Sequence, residues 1–208
     1  MKRKIGIIGY GNMGSAIAER LKAEYAVFVF DKDSVKLKDV QGLTICASFS
    51  LVVEKSEAII LAVKPQDFDA LLSEIKSTTK GQLFISIAAG ITTAYLEKIL
   101  IQARVVRVMP NLPAKIGMGM SCLCKGKFAS EEDLNLSKTL FDKLGKTLII
   151  EEKMMDAATA VSGSGPGFFF DLVQNKNAQE EAKIFIVSLA VAAENIGFSK
   201  QESNLLAT

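Results

Sequence analysis

The sequence predicts an α/β protein in which a doubly wound, mostly parallel sheet is followed by a small all-helical domain. Short apolar runs of strand character alternate with helical patterns up to about residue 152, and after Lys153 only helical patterns remain. The chain has 208 residues, of which 49% are hydrophobic, so it is long enough for one sizeable domain and a smaller one. We therefore predict domains at residues 1–152 and 153–208.

The predicted strands are short and rich in β-branched and aromatic residues. They cover residues 3–8, 26–31, 43–47, 58–63, 83–88, 104–109, 116–124 and 146–151. Helical patterns lie between them at 12–23, 49–56, 67–76, 92–100 and 130–145, and three more follow at 153–161, 167–195 and 199–207. Strands that alternate with helices pair in parallel, with helices on both faces of the sheet.

Composition limits the classes of partner and of chemistry. The chain has 25 Lys and Arg against 23 Asp and Glu, so we expect a small-molecule partner and no nucleic acid. The longest late apolar stretch, 184–193, is about half of the ~20 residues that span a membrane, so no membrane association is expected. The chain has no histidine, which removes imidazole bases and His-ligated zinc, and no metal is expected. Cys46, Cys122 and Cys124 contain no CxxC pair, which is typical of buried, reduced thiols in a cytoplasmic protein.

Three glycines, Gly9, Gly11 and Gly14, follow the first strand and open the first helix. This is the context of the dinucleotide-binding fingerprint of Rossmann-type folds. The first glycine makes the tight turn, the second admits the pyrophosphate, and the third allows close packing of helix on strand. Free N–H groups at the helix amino end then attract phosphate. The alternative interpretation is a tight turn in a packed core.

Asp31 ends the second strand, twenty residues after the second glycine of the motif. An acidic side chain at this place binds the ribose hydroxyls and favours NAD. Lys32, Ser34 and Lys36 follow, and they suit the 2′-phosphate of NADP instead. The sequence therefore leaves NAD and NADP open, and a solvated turn with acidic helix caps is the structural alternative.

Small and polar residues also follow three later strands, at the edge where parallel sheets bind ligands. These stretches are "AVKPQD" (62–67), "SIAAG" (86–90) and "MPNLP" (109–113). Lys64 is equally an ordinary surface lysine, and Asn111, held between two prolines, is equally part of a plain turn.

A Ser/Gly-rich stretch, "VSGSGPGFFF" (161–170), places Ser162 and Ser164 before a predicted helix that starts at Pro166. A helix amino end of this kind suits a carboxylate or a phosphate. The same residues are equally suited to a helix–helix junction packed by small side chains.

Five stretches together make the chain resemble the pyrroline-5-carboxylate reductase family. They are "GYGNMGSAI", "AVKPQD", "SIAAGIT", "RVMPNLPAKIGMGMS" and "VSGSGPGFFF", in the family's order, over residues 1 to about 170. The resemblance implies a nicotinamide-binding Rossmann domain and a helical domain through which members form homodimers or higher homo-oligomers. It also implies hydride transfer from NADPH or NADH to the C=N bond of 1-pyrroline-5-carboxylate, which gives L-proline.

The resemblance assigns three groups of cofactor contacts by position. The residues assigned to the diphosphate are Gly9, Gly11, Asn12, Met13 and Gly14. Those assigned to the adenosine ribose are Asp31, Lys32 and Ser34. The nicotinamide side is assigned to Val63, Lys64, Pro65, Ala88, Ala89 and Asn111. Ser162 and Ser164 are assigned to the substrate, and Glu152 falls at the position of a family carboxylate near the substrate. No catalytic residue is assigned.

Two features depart from the family pattern. The helix after the Ser-Gly-Ser-Gly-Pro turn is longer and carries a polar stretch at 174–183, and the family's "SPGGTT" segment, which contacts the substrate imine and carboxylate, is absent. The chain therefore looks like a family member without most of its helical domain. We expect weak or absent reductase activity despite a well-formed nucleotide domain.

Two other functions fit the same amino-terminal half. One is another reductase with this domain, a β-hydroxyacid dehydrogenase or a deazaflavin-dependent NADP reductase, although residues 153–208 offer no clear catalytic lysine for the former. The other is a non-catalytic module that senses NAD or NADP. Binding of the cofactor without imine-dependent oxidation would favour the module.

Overall fold

The computed structural model describes residues 1–165 and 178–207. Its centre is an eight-stranded sheet in the order β3-β2-β1-β4-β5-β6-β7-β8. The strands are β1 (Lys4–Ile8), β2 (Ala26–Phe30), β3 (Thr44–Ile45), β4 (Ala58–Leu61), β5 (Leu83–Ser86), β6 (Arg104–Pro110), β7 (Gly119–Lys125) and β8 (Gly145–Ile149). Among the neighbouring pairs of these eight described strands, the β6–β7 pair alone is antiparallel. The predicted doubly wound, mostly parallel sheet is confirmed.

Five helices cover the two faces of the sheet. They are α1 (Asn12–Leu21), α2 (Phe49–Lys55), α3 (Phe68–Ile75), α4 (Thr93–Ile99) and α5 (Glu131–Phe141). The helices α1 and α5 pack in one apolar cluster with Ile7 and Val108. The helices α2, α3 and α4 pack in the other with Ile59 and Phe84. Because these two layers are buried, the strands and helices hold the ends of the loops at the carboxyl edge of the sheet in fixed positions.

The reversal between β6 and β7 has a local cause. The connection from Asn111 to β7 contains only a 3₁₀ turn, Leu112–Ile116, which is too short for a crossover to a parallel strand. The strand β7 therefore returns beside β6, and Pro110 lies opposite Ser121. As a result, the start of β7 lies at the same edge of the sheet as the ends of β1, β4, β5 and β6.

After β8 the described chain is helical, as predicted. A 3₁₀ turn (Glu152–Met154) leads into α6 (Met155–Ala158) and a π-helical turn (Thr159–Gly163), and later come α7 (Ala178–Asn195) and α8 (Lys200–Ala207). This part packs on β7 through a third apolar cluster, which contains Met120, Cys122, Cys124, Met155, Ala158, Val161, Ala193 and Phe198. The predicted helix start at Pro166 lies outside the described residues. Within the described ranges, none of the helices has the length and apolarity needed to cross a bilayer.

Candidate functional site

The glycine turn after β1 is shaped by two close backbone approaches. Gly9 has φ +100°, and a Cβ at this position would lie 2.5 Å from the carbonyl oxygen of Ala62. A Cβ on Gly14 would lie 2.0 Å from the carbonyl oxygen of Gly9. Both positions therefore need glycine, the first for its backbone conformation and the second for the packing of α1 on the turn.

Gly11 differs from its two neighbours in the motif, because a Cβ on Gly11 would meet no atom within 4 Å. The open space lies directly before Asn12, where α1 begins. The first turn of α1 contains no acidic residue, and no side chain caps it. An anion in this space would meet free N–H groups and the positive end of the helix dipole.

Asp31, which follows β2, is tied into this turn. Its Oδ2 accepts a hydrogen bond of 2.6 Å from the backbone N–H of Tyr10, and its Oδ1 accepts one of 2.8 Å from that of Asp33. The ammonium of Lys36 lies 3.2 Å from Oδ1. Burial acts to raise the pKa of Asp31, but these hydrogen bonds and Lys36 outweigh it and hold the pKa below its ordinary value.

The loop after β2 is also joined to the loop after β4. Lys32 Nζ lies 2.7 Å from Asp67 Oδ1, and both side chains are partly exposed. Ser34 begins a short 3₁₀ helix whose first turn is capped by the Asp33 carboxylate. The predicted ribose residues Asp31, Lys32 and Ser34 therefore lie on one small surface at the carboxyl end of β2.

The predicted nicotinamide residues follow β4, β5 and β6 at the same edge of the sheet. Lys64, Pro65 and Ala89 are exposed, Val63 is half-buried, and Ala88 is buried. The parallel register of β4 with β5 brings Leu61 opposite Ser86, so the loops that follow these two strands start side by side.

Asn111, the last of this group, is buried and engaged at both ends of its amide. Its Nδ2 donates to the carbonyl oxygen of Ser162 at 3.1 Å, and its Oδ1 accepts from the N–H of Met120 at 2.8 Å. The amide therefore fastens the π-helical turn to the start of β7. The sequence indicates the strand end, but it gives no sign of these two partners.

The two predicted substrate serines have different surroundings. Ser162 lies within a π-helical turn instead of a loop, and it is buried, with Oγ donating to the carbonyl oxygen of Ala158 at 2.9 Å. It lines a cavity of about 490 Å³ together with Asn111 and Lys146, and most of the other lining residues are apolar. Ser164 is exposed.

Beneath Ser162 lies the buried thiol of Cys122. Burial raises the pKa of Cys122 to about 12, although a hydrogen bond with Ser162 acts in the opposite direction. Burial and the Glu152 carboxylate raise the pKa of Cys124 to about 12. Both thiols therefore stay protonated at neutral pH and act as small apolar side chains.

Glu152 lies apart from the two serines. Its carboxylate accepts hydrogen bonds from the Thr93 N–H at 2.8 Å and the Thr93 hydroxyl at 2.7 Å, at the start of α4. It also lies 3.5 Å from the guanidinium of the buried Arg107, which pairs in turn with Asp156 at 3.2 Å. Glu152 lines a separate groove, so the structure does not bring it into one cavity with Ser162.

One basic residue near the glycine turn is absent from the sequence predictions. Lys115, in the 3₁₀ turn after β6, donates from Nζ to Asn12 Oδ1 at 3.0 Å. These two residues are 103 positions apart, and a lone exposed lysine has no pattern that would single it out.

Comparison with known proteins identifies relatives of this chain. Residues 4–90 match the family model described as NADP oxidoreductase, coenzyme F420-dependent. The chain is 38% identical over 182 residues to the pyrroline-5-carboxylate reductase of Methanosarcina acetivorans, with 83% of this chain and 67% of that protein covered. It is 33% identical over an alignment of 218 residues to the pyrroline-5-carboxylate reductase of Mycobacterium tuberculosis, with 98% of this chain and 70% of that protein covered.

The fold is similar to that of solved reductases. The crystal structure of Plasmodium falciparum pyrroline carboxylate reductase with NADP bound superposes with a TM-score of 0.73 at 30% sequence identity, covering 99% of this chain and 74% of that one. The sequence matches and this structural match extend beyond the nucleotide-binding half into the helical part. The chain therefore belongs to the pyrroline-5-carboxylate reductase family.

Proposed function

We propose that this chain reduces 1-pyrroline-5-carboxylate to L-proline with NADPH, as a step of proline biosynthesis. The observation that carries the proposal is the glycine turn, which is open at Gly11 and leads into the uncapped amino end of α1. Relatives at 33–38% identity bear the name of this reductase, and a solved relative holds NADP.

The chemistry needs little from ionisable side chains. The bound cofactor supplies the hydride that reduces the C=N bond, and a protonated imine accepts it without a strong general base. The absence of histidine from the chain fits this requirement. The residues at the sheet edge then have to hold the cofactor, orient the imine and keep water away.

The loop after β2 supports NADP as the preferred cofactor. The Asp31 carboxylate is already bound by two backbone N–H groups and by Lys36, so its charge is largely compensated. Lys32 and Ser34 lie on the same surface, where Lys32 would exchange its partner Asp67 for a 2′-phosphate and Ser34 would offer its hydroxyl. NAD lacks the 2′-phosphate and would gain less from these two side chains.

For the substrate we propose the region beside Ser162 and Ser164, where a cavity of about 490 Å³ adjoins Asn111 at the carboxyl edge. Its apolar walls suit the pyrroline ring, and the polar groups of the π-helical turn suit the imine and the carboxylate. Glu152 acts from outside this cavity, through its bonds to Thr93 and Arg107.

We further propose that the protein is a cytoplasmic homo-oligomer, with a homodimer as its basic unit. Three apolar side chains of α7, Ile184, Val187 and Val191, are 52–62% exposed and share one side of the helix. A second copy would remove this stripe from water. The three buried free cysteines fit a reducing compartment.

The absorbance of NADPH at 340 nm, followed with purified protein and 1-pyrroline-5-carboxylate, tests the proposal, and a parallel series with NADH tests the preference. Oxidation that depends on the imine and is faster with NADPH would support it. Binding of NADPH without oxidation of the cofactor would contradict the reductase activity and favour the non-catalytic module. Failure to bind either nucleotide would contradict the proposed cofactor site.

A further inference from the structure

The segment Leu112–Ile116 lies against α1 and brings a lysine to the glycine turn. Lys115 Nζ donates to the side-chain oxygen of Asn12 at 3.0 Å. Asn12 is the first residue of α1 and directly follows Gly11, beside which the space is open. The Asn12 side chain therefore links the ammonium to the start of α1, whose backbone N–H groups would face a diphosphate.

In the described parts of the chain, no carboxylate pairs with this ammonium. Among the residues that the structure describes, Lys115 takes part in no ion pair, and its recorded partner Asn12 is a neutral amide. The first turn of α1 contains no acidic residue either. A full positive charge and the positive end of a helix dipole thus lie at the same end of α1, which favours an anion there.

The backbone of Lys115 is held in place from a second point. The Arg20 guanidinium on α1 donates to the Lys115 carbonyl oxygen at 3.3 Å. Gly117, with φ +79°, ends the 3₁₀ turn, and a Cβ at this position would lie 3.1 Å from the same guanidinium. The hydrogen bond from Arg20 therefore joins the loop to α1 and holds the backbone of Lys115 beside that helix.

We propose that Lys115 is a further cofactor-binding residue, which exchanges the Asn12 side-chain oxygen for a phosphate oxygen of the bound dinucleotide. This inference rests on the proposed function, since it takes the dinucleotide as the occupant of the glycine turn. The exchange replaces a neutral acceptor with a charged one, so the hydrogen bond becomes stronger on binding. The substrate carboxylate is the competing anion, and the test below distinguishes the two.

The test is a fluorescence titration of NADPH with four proteins: the parent chain, Lys115→Met, Lys115→Arg and Lys98→Met. Lys98 is an exposed lysine in the last turn of α4, at the end of that helix away from the carboxyl edge of the sheet. We expect Lys115→Met to raise the Kd for NADPH about tenfold, the loss that one hydrogen bond to a charged group accounts for. Lys115→Arg should keep most of the affinity, and Lys98→Met should match the parent.

Two further readouts separate binding from a merely structural role. The difference in Kd between the parent and Lys115→Met should shrink as the salt concentration rises from roughly 50 mM to 500 mM, because salt screens an exposed charge. The unfolding temperatures of the parent and of Lys115→Met should agree, because the side chain is exposed.

The inference is overturned if Lys115→Met binds NADPH as tightly as the parent, or if Lys98→Met weakens binding equally. It is also overturned if Lys115→Met leaves the Kd for NADPH unchanged and raises only the KM for 1-pyrroline-5-carboxylate, since the anion would then be the substrate carboxylate. A parent chain that binds no NADPH would instead contradict the proposed function itself.

Discussion

At the scale of single residues, the three glycines of the turn make different demands on the fold. Gly14 is packed against the carbonyl oxygen of Gly9, whereas Gly11 faces open space and has φ −80°, which any residue adopts. Replacing an α-hydrogen with a side chain therefore has a different consequence at Gly11 than at Gly14. A side chain at Gly11 fits the apo protein and occupies the space proposed for the diphosphate.

We expect Gly11→Val to leave the unfolding temperature within a few degrees of the parent and to weaken NADPH binding at least about tenfold, which corresponds to 1.4 kcal/mol. Gly14→Ala is the contrasting variant, since its methyl group collides with backbone and lowers stability. Thermal unfolding and NADPH fluorescence measure the two effects. Tight NADPH binding by Gly11→Val would place the diphosphate elsewhere.

The contribution of Asp31 to the stability of the protein depends on pH. Although burial acts to raise it, the pKa of Asp31 in the folded protein lies below the ordinary value of 3.8 because of the N–H groups of Tyr10 and Asp33 and the Lys36 ammonium. A carboxylate of this kind stabilises the native state above its unfolded pKa, and the contribution is lost as the pH falls through the folded pKa.

We therefore expect Asp31→Asn to be less stable than the parent near pH 7, and the difference between the two to shrink below about pH 4. Urea unfolding at a series of pH values measures this. Asp39→Asn is a suitable control, because Asp39 is an exposed acid in the described part of the chain. A difference that stays constant from neutral to acid pH would show that the charge of Asp31 is not responsible.

At the scale of elements, Glu152 connects the helical part of the chain to the sheet and to α4. Its carboxylate bonds the first residue of α4, Thr93, and approaches the buried Arg107 on β6. Loss of the carboxylate leaves the buried guanidinium with the exposed Asp156 as its one ion-pair partner among the described residues. An uncompensated buried charge is costly.

We expect Glu152→Ala to lower the free energy of unfolding by about 1–3 kcal/mol, the usual cost of leaving buried donors unpaired. Thr93→Val removes one donor of the same network, so the double variant should lose less than the sum of the two single losses. Denaturant unfolding of the three variants completes this cycle. Unchanged stability together with a raised KM for the imine would instead indicate that Glu152 contacts the substrate, as the family resemblance implies.

The elements also show where prediction from sequence ends. Local patterns were sufficient for all eight strands and for the glycine turn, because periodicity and glycine spacing act within one strand and one helix. Asn111 bonds Ser162, 51 residues away, and Glu152 bonds Thr93, 59 residues away, and no local pattern encodes either contact. The same holds for Lys115, whose contact with Asn12 depends on the reversal of β7 and the short turn before it.

At the scale of the whole molecule, the apolar surface of α7 bears on assembly. Ile184, Val187 and Val191 form an exposed stripe on the described part of this helix, while Ala190 and Ala193 face the core. The stripe lies on the side of α7 opposite to these two buried alanines, so its burial in a dimer need not disturb the nucleotide-binding half. Oligomer formation and cofactor binding should therefore be separable by mutation.

We expect Val187→Glu to convert the proposed homodimer to monomer, because a charge in the middle of the stripe would have to be buried without a partner. Gln201→Glu, which adds the same charge at an exposed position of α8, should leave the mass unchanged. Sedimentation or light scattering gives the mass, and an NADPH titration of the same samples shows whether the cofactor site is intact. A parent chain that is monomeric at every concentration would contradict the dimer. A Val187→Glu variant that stays dimeric would place the contact on another surface of the molecule.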